Sequence, residues 1–191
     1  MIDPGGSVAP EPGEFDLTPK SPSGSSITLI RQMELSVANL LGNVHGGEIM
    51  KMVDSAGGLA AMKHCGGPVV TAAMDEMQFI EPVYVGEVVT VRAMVNDTGR
   101  TSLEVGVRVE ADNVITGRHV HTSSAYLVYV ALDEEGDPRP VPAVVAENEE
   151  QAQRQREAKL RRQARLTRKQ AILAAREEKG EGPPTPPGRI P

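Results

Sequence analysis

Residues 101–111, TSLEVGVRVEA, alternate without a break. Leu103, Val105, Val107, Val109 and Ala111 fall on one side, and Ser102, Glu104, Gly106, Arg108 and Glu110 on the other. A period of two held this long specifies a strand with one buried face; a helix would repeat its apolar positions every three or four residues. Residues 87–96 show the same pattern through Val89, Val91, Ala93 and Val95, and NDTGR between the runs has turn chemistry, so 86–112 reads as an antiparallel hairpin. Looser alternation through Ile27, Leu29, Met33, Leu35 and Val37 predicts another strand over 27–37. PVVTAAMDEMQFI and HVHTSSAYLVYVAL are two further β-rich runs. Strands around one helix, with no repeated βαβ unit, place the chain in the α+β class.

That helix is GNVHGGEIMKMVDSAGG and its continuation to residue 64. Ile49, Met52, Val53, Ala56, Leu59 and Ala60 share a face that can bury against a sheet, and Glu48, Lys51 and Ser55 form a polar edge. The remaining arc holds Gly47, Met50, Asp54, Gly57, Gly58 and Ala61. Glycine in a helix interior costs about 1 kcal/mol relative to alanine, so an arc this rich in it leaves room for another backbone or a slender ligand to approach closely. Asp54 is the one carboxylate on that arc, with Met50 and Gly58 one turn away on either side. At the helix start, Asn43 and His45 precede Gly46 and Gly47, whose N–H groups have no intrahelical partner. Free amides at the positive end of the helix dipole favour negative charge and would stabilise an oxyanion. The arrangement suits attack of water on a carbonyl assisted by Asp54. It also admits a plainer reading, with Asp54 a solvated aspartate, Asn43 a cap and the glycine pair a tight turn.

The rest of the chain limits the alternatives. Single-domain chains run to about this length; with no Trp, three Tyr and two Phe, the core must come from Val, Leu, Ile, Ala and the eight Met. Cys65 is the single cysteine, which fits a reducing compartment and reads as a buried or incidental thiol. His45, His64, His119 and His121 form no metal-ligand pattern with acids or Cys, so no metal is expected. The N-terminus is not a secretory signal and no apolar run is long enough to span a membrane, so a soluble, cytoplasmic protein is expected. Residues 1–25 and 180–191 are rich in Pro and Gly, the first also in Ser and acids, and are expected to be a disordered arm and tail. Residues 147–179 are helix-forming; within them, 151–179 carries ten Lys/Arg against three Glu, net +7 in a chain of −6, leaving about −13 elsewhere. A thin stripe of Leu160, Ala164, Thr167, Ala171 and Ala174 predicts light docking on the domain, which should survive deletion of 147–191.

Three blocks, GNVHGGEIMKMVDSAGG, GRTSLEVGVRVEAD and TSSAYLVYVALDEEGDPRPVP, together resemble the hotdog-fold acyl-coenzyme A thioesterases of the brain-type acyl-CoA hydrolase group. The resemblance covers about 27–142, in the domain 26–142, and the basic helix after it is also similar to tails in that family. It implies a long central helix wrapped by a curved antiparallel sheet. It implies homodimers joined edge to edge, assembling further as a trimer of dimers, with the active site between subunits. Asp54 falls on the family's catalytic aspartate and Asn43 on its functional asparagine, one from each subunit. The acidic N-terminal arm has no counterpart in the family. The implied reaction is hydrolysis of an acyl-CoA thioester at the Gly46 and Gly47 amides, with Asp54 as general base or nucleophile and His45 beside the substrate. The CoA phosphates need local cations on an acidic body. Arg100, with Thr101 and Ser102 at the hairpin, is the first candidate, followed by Arg118 and Lys63. No cofactor is implied beyond the CoA of the substrate.

Two rival classes remain. A hotdog domain that binds acyl-CoA without cleaving it would dispense with the aspartate, which this chain keeps. A nucleic-acid-binding role for 151–179 rests on charge alone, without interleaved aromatics or a recognisable module; no nucleic acid or membrane partner is expected.

Overall fold

In the computed structural model of this chain, residues 15–177 are described. The strands are β1 (Ile27–Gln32), β2 (Val69–Phe79), β3 (Val88–Thr98), β4 (Ser102–Asn113) and β5 (Arg118–Ala131); the helices are α1 (Gly46–Cys65) and α2 (Glu149–Glu177). The strands form one antiparallel sheet in the order β1-β3-β4-β5-β2. The hairpin pairs Val89 with Ala111, Val91 with Val109, Ala93 with Val107 and Val95 with Val105. All eight are buried, as the alternation requires.

The sheet wraps α1, and this widens the buried arc beyond a single stripe. Ile49, Met52, Val53, Ala56 and Ala60 are buried as expected, but Gly57 and Ala61 join them, while Leu59 is 40% exposed. β1 is shorter than the alternation through Val37 suggested. Met33 turns into the core, its N–H bonded to the Glu87 carbonyl, and a 3-10 turn follows at Leu35–Val37. α1 ends at Gly66, whose φ of 72° is a left-handed conformation natural to glycine. Arg139 then donates to the last carbonyl of α1, Cys65 O, at 3.0 Å.

The expected arm over 1–25 needs correction within its described part. Lys20 makes backbone bonds with Ala143 and Val145, and the buried Ser25 hydroxyl accepts from Val95 N at 3.0 Å. Backbone pairing at that end overrides a composition that signals disorder. Residues 1–14 and the expected 180–191 tail lie outside the described residues.

α2 forms where expected, but it does not dock by the expected stripe: Leu160 is 71% exposed, and Ala164 and Thr167 face solvent. The contact face is Gln151, Gln155, Ala158, Arg161 and Arg165, laid over the outer side of the sheet. Arg161 pairs with buried Glu104 at 2.7 Å and stacks 3.6 Å from the Tyr126 ring centroid; Arg165 pairs with Asp75, and Gln155 donates to Asp97. The docking is polar and more extensive than a light apolar contact. Among the described residues, no helix is long and apolar enough to cross a membrane.

Candidate active site

Asp54 lies on the solvent-facing part of α1, on an exposed surface that it shares with Thr71 of β2. Thr71 Oγ1 donates to Asp54 Oδ1 at 2.7 Å. From the other side, the Tyr129 hydroxyl lies 3.0 Å from the Asp54 backbone oxygen and 3.3 Å from Oδ1. Oδ2 has no partner among the described residues. Burial, reinforced by the Asp54 charge, pushes the Tyr129 hydroxyl well above the ordinary tyrosine range, so it remains protonated and available as a donor. The glycine arc has a specific use here. A Cβ on Gly57 would stand 3.1 Å from Tyr129 Cε2 and Cζ, so the helix is cut away where the ring passes. At Gly57 the close approach is made by this chain's own Tyr129 side chain, not by the backbone or slender ligand that the glycines suggested.

The second group of expected residues clusters at the start of α1. His45 caps the helix, its Nδ1 accepting from Gly47 N at 2.9 Å. The Gly47 amide is therefore already committed, which corrects the expectation of two free amides; the Gly46 N–H has no acceptor among the described residues. Asn39, Asn43, Gly46, Ile49, Phe79 and Val83 border a cleft of about 310 Å³. The Asn43 side chain makes no bond among the described residues. The Asn39 carboxamide oxygen accepts from Leu41 N and Asn43 N and so shapes the loop ahead of the helix.

Within one chain, these groups cannot act on the same carbonyl. Gly46 and Asp54 are eight residues apart on α1, about 12 Å along its axis at ~1.5 Å per residue. The expected CoA contacts are also scattered. Arg100, Thr101 and Ser102 sit at the β3–β4 turn, where Thr101 O accepts from Ala131 N, at the end of the sheet next to the C-terminus of α1. Arg100 and Lys63 have no acidic partner among the described residues; Lys63 donates to Ser26 O. Arg118 is less free than its charge suggests, since it pairs with Glu87 and Glu81 beside Tyr84. Among the described residues, no group of three or more His, Cys, Asp or Glu is placed to hold a metal ion. Cys65 is buried, with its thiol toward the Gly67 carbonyl.

Reading along the sequence missed three residues: Thr71, Tyr129 and Asn39. Thr71 and Tyr129 lie 17 and 75 positions from Asp54, and no helical or strand period links them to it. Gly57 was the trace that Tyr129 left in the sequence.

Comparison with known proteins adds four findings. Residues 41–117 match the Thioesterase superfamily. The cytosolic acyl coenzyme A thioester hydrolase of Mus musculus is 36% identical over 143 residues, 74% of this chain but 38% of that protein, so the chain spans well under half of that relative's length. The acyl-CoA hydrolase of Staphylococcus aureus, solved with butyryl coenzyme A and coenzyme A, is 33% identical with a TM-score of 0.76, covering 85% of this chain and 99% of that one. It has also been solved as single alanine variants of an asparagine, an aspartate and a threonine, spaced 15 and 17 residues apart; Asn39, Asp54 and Thr71 share that spacing. A hexameric acyl-CoA thioesterase is 35% identical with a TM-score of 0.77, covering 79% and 97% of the two chains.

Proposed function

The chain belongs to the thioesterase superfamily, and on that premise we propose that it is an acyl-CoA thioesterase, releasing a free carboxylic acid and CoA. The observation that carries the reading is the Asp54 carboxylate, with Oδ1 tied by Thr71 and Oδ2 open on an exposed face. Asp54 takes a proton from water as the water oxygen bonds to the thioester carbon. The carbonyl oxygen gains charge opposite an N-terminal amide of α1, for which Gly46 N–H is available. The C–S bond then breaks and CoA leaves as a thiolate that takes up a proton. The spacing shared with the S. aureus variants supports Asn39, rather than Asn43, as the asparagine that positions the reacting groups.

The ~12 Å between Gly46 and Asp54 supports a site completed by a second copy, with the loop and helix start of one subunit meeting Asp54 of another. The surface around Asp54 has the character of such a contact: Met50, Leu59 and Met62 of α1 and Val70 and Met74 of β2 are all exposed in the single chain. β2 is also a sheet edge, open to pairing with another β2. A trimer of such dimers is the proposed assembly, in keeping with the hexameric neighbour. Arg100 and Lys63 are the proposed contacts for the CoA phosphates.

A panel of acyl-CoA esters, with released thiol measured, tests the reading. Turnover of at least one ester, lost in Asp54→Asn while the fold and CoA binding persist, is expected. A wild-type protein that binds CoA esters and cleaves none would instead make the domain a non-catalytic acyl-CoA sensor.

A further inference from the structure

We propose that Tyr129 is a positioning residue for Asp54: its hydroxyl, lodged in the notch left by Gly57, holds the carboxylate with one oxygen tied and the other presented to the reacting water. The inference rests on the thioesterase reading above and assigns a role outside the Asn39, Asp54 and Thr71 set.

Three independent observations converge on it. Tyr129 is 1% exposed and stands on the inward face of β5 in line with Ala125 and Leu127, where a purely apolar ring would fill the same space. A buried hydroxyl there needs a partner, and Asp54 supplies both acceptors within reach, at 3.0 and 3.3 Å. Gly57 then removes the side chain that would block the ring, in the middle of a helix that disfavours glycine. Finally, Thr71 and Tyr129 address the same oxygen, Oδ1, so the carboxylate is fixed from two elements, β2 and β5. The single Tyr129 proton is shared between the Asp54 carbonyl, the nearer at 3.0 Å, and Oδ1 at 3.3 Å. Beside the Thr71 bond it adds a second, shared contact that limits swing of the carboxylate about χ2 and leaves Oδ2 in a defined direction. Because the tyrosine stays protonated, it supplies a donor throughout the working range and does not compete for the water's proton.

The test separates positioning from packing. Tyr129→Phe keeps the ring and removes only the hydroxyl. It should lower kcat about tenfold with KM within about twofold, leaving assembly mass and melting temperature near wild type. In an Asp54→Asn background the same change should cost nothing further, because the hydroxyl acts through the carboxylate. A kcat within twofold of wild type, or an equal loss in both backgrounds, overturns the proposal. Gly57→Ala, which pushes the ring aside, should reproduce the kcat loss. If the wild type cleaves no ester, the functional reading fails, and the pairing is judged by NMR. A slowly exchanging Tyr129 hydroxyl proton whose resonance moves in Asp54→Asn supports the inference; a missing or unmoved resonance overturns it.

Discussion

Arg139 offers a sharp test of how α1 is held at its far end. It is 3% exposed, yet it has no carboxylate partner among the described residues. Its guanidinium donates to Leu132 O at 3.0 Å, Cys65 O at 3.0 Å and Pro140 O at 3.4 Å, and stacks 4.3 Å from the Phe15 ring centroid. The compensation for its burial is the negative end of the α1 dipole together with three carbonyls. Arg139→Met keeps most of the stem and strips the donors, leaving the Cys65 and Leu132 carbonyls short of partners. Each such loss costs about 1–3 kcal/mol, offset in part because a desolvated charge also disappears. A net destabilisation of roughly 3 kcal/mol follows, which in a domain of this size lowers Tm by about 6–12 °C. Arg139→Lys, able to reach fewer carbonyls at once, should fall between the two. Thermal unfolding followed by circular dichroism, at one fixed protein concentration because assembly also shifts Tm, reads the effect. A Tm for Arg139→Met within 2 °C of wild type would refute the argument that a buried cation clamps the helix end.

Other outcomes follow from the same geometry. Asp54→Asn should cut the rate of thiol release by about 10²–10⁴ without altering the fold. Mixing Asp54→Asn with Asn39→Ala chains, after dissociation and reassembly, should restore activity well above either alone if the site is shared; no recovery would place both groups in one chain's site. His64 is buried, with Nε2 donating to Pro142 O and Nδ1 unpartnered among the described residues. Burial, and then the Lys20 charge, hold its pKa below the ordinary value. Neutral His64 therefore gives its full stabilisation above pH ~6.5, and this is lost as pH falls below that value; Tm should drop between pH 7 and 5, and drop less in His64→Gln. Arg161→Ala should destabilise by about 2 kcal/mol by leaving buried Glu104 unpaired, and adding Glu104→Gln should recover part of it. Chemical denaturation of the two variants measures both effects.

The strands were legible because the sheet has one polar and one apolar face, so its period is written into residues 87–111 even where α2 covers the polar side. The helix start and Asp54 were legible because glycine and a lone carboxylate stand out among apolar neighbours. Contacts between distant elements left weaker marks. Thr71 looks like any β-branched strand residue, and Tyr129 like any aromatic in a buried run; only the fold brings them to Asp54. The docking of α2 was misread for a related reason. Its face is built from Gln and Arg that meet buried acids on the sheet, and a search for apolar spacing passes over such a face. The same polar contacts leave Arg168, Lys169 and Arg176 with no acidic partner among the described residues, so much of the +7 on that helix faces solvent.

The notch at Gly57 also constrains how the chain can change over time. The tyrosine oxygen is the group that a methyl at position 57 would meet most severely, with the ring carbons less crowded at 3.1 Å. Substituting position 57 first forces the ring out of place at once, whereas Phe at 129 frees the tightest spot before the helix acquires a side chain. The two positions therefore form a ratchet with one easy direction. Descendant sequences that carry alanine at 57 should have given up the tyrosine beforehand, and lineages that keep the tyrosine should find glycine at 57 almost impossible to lose.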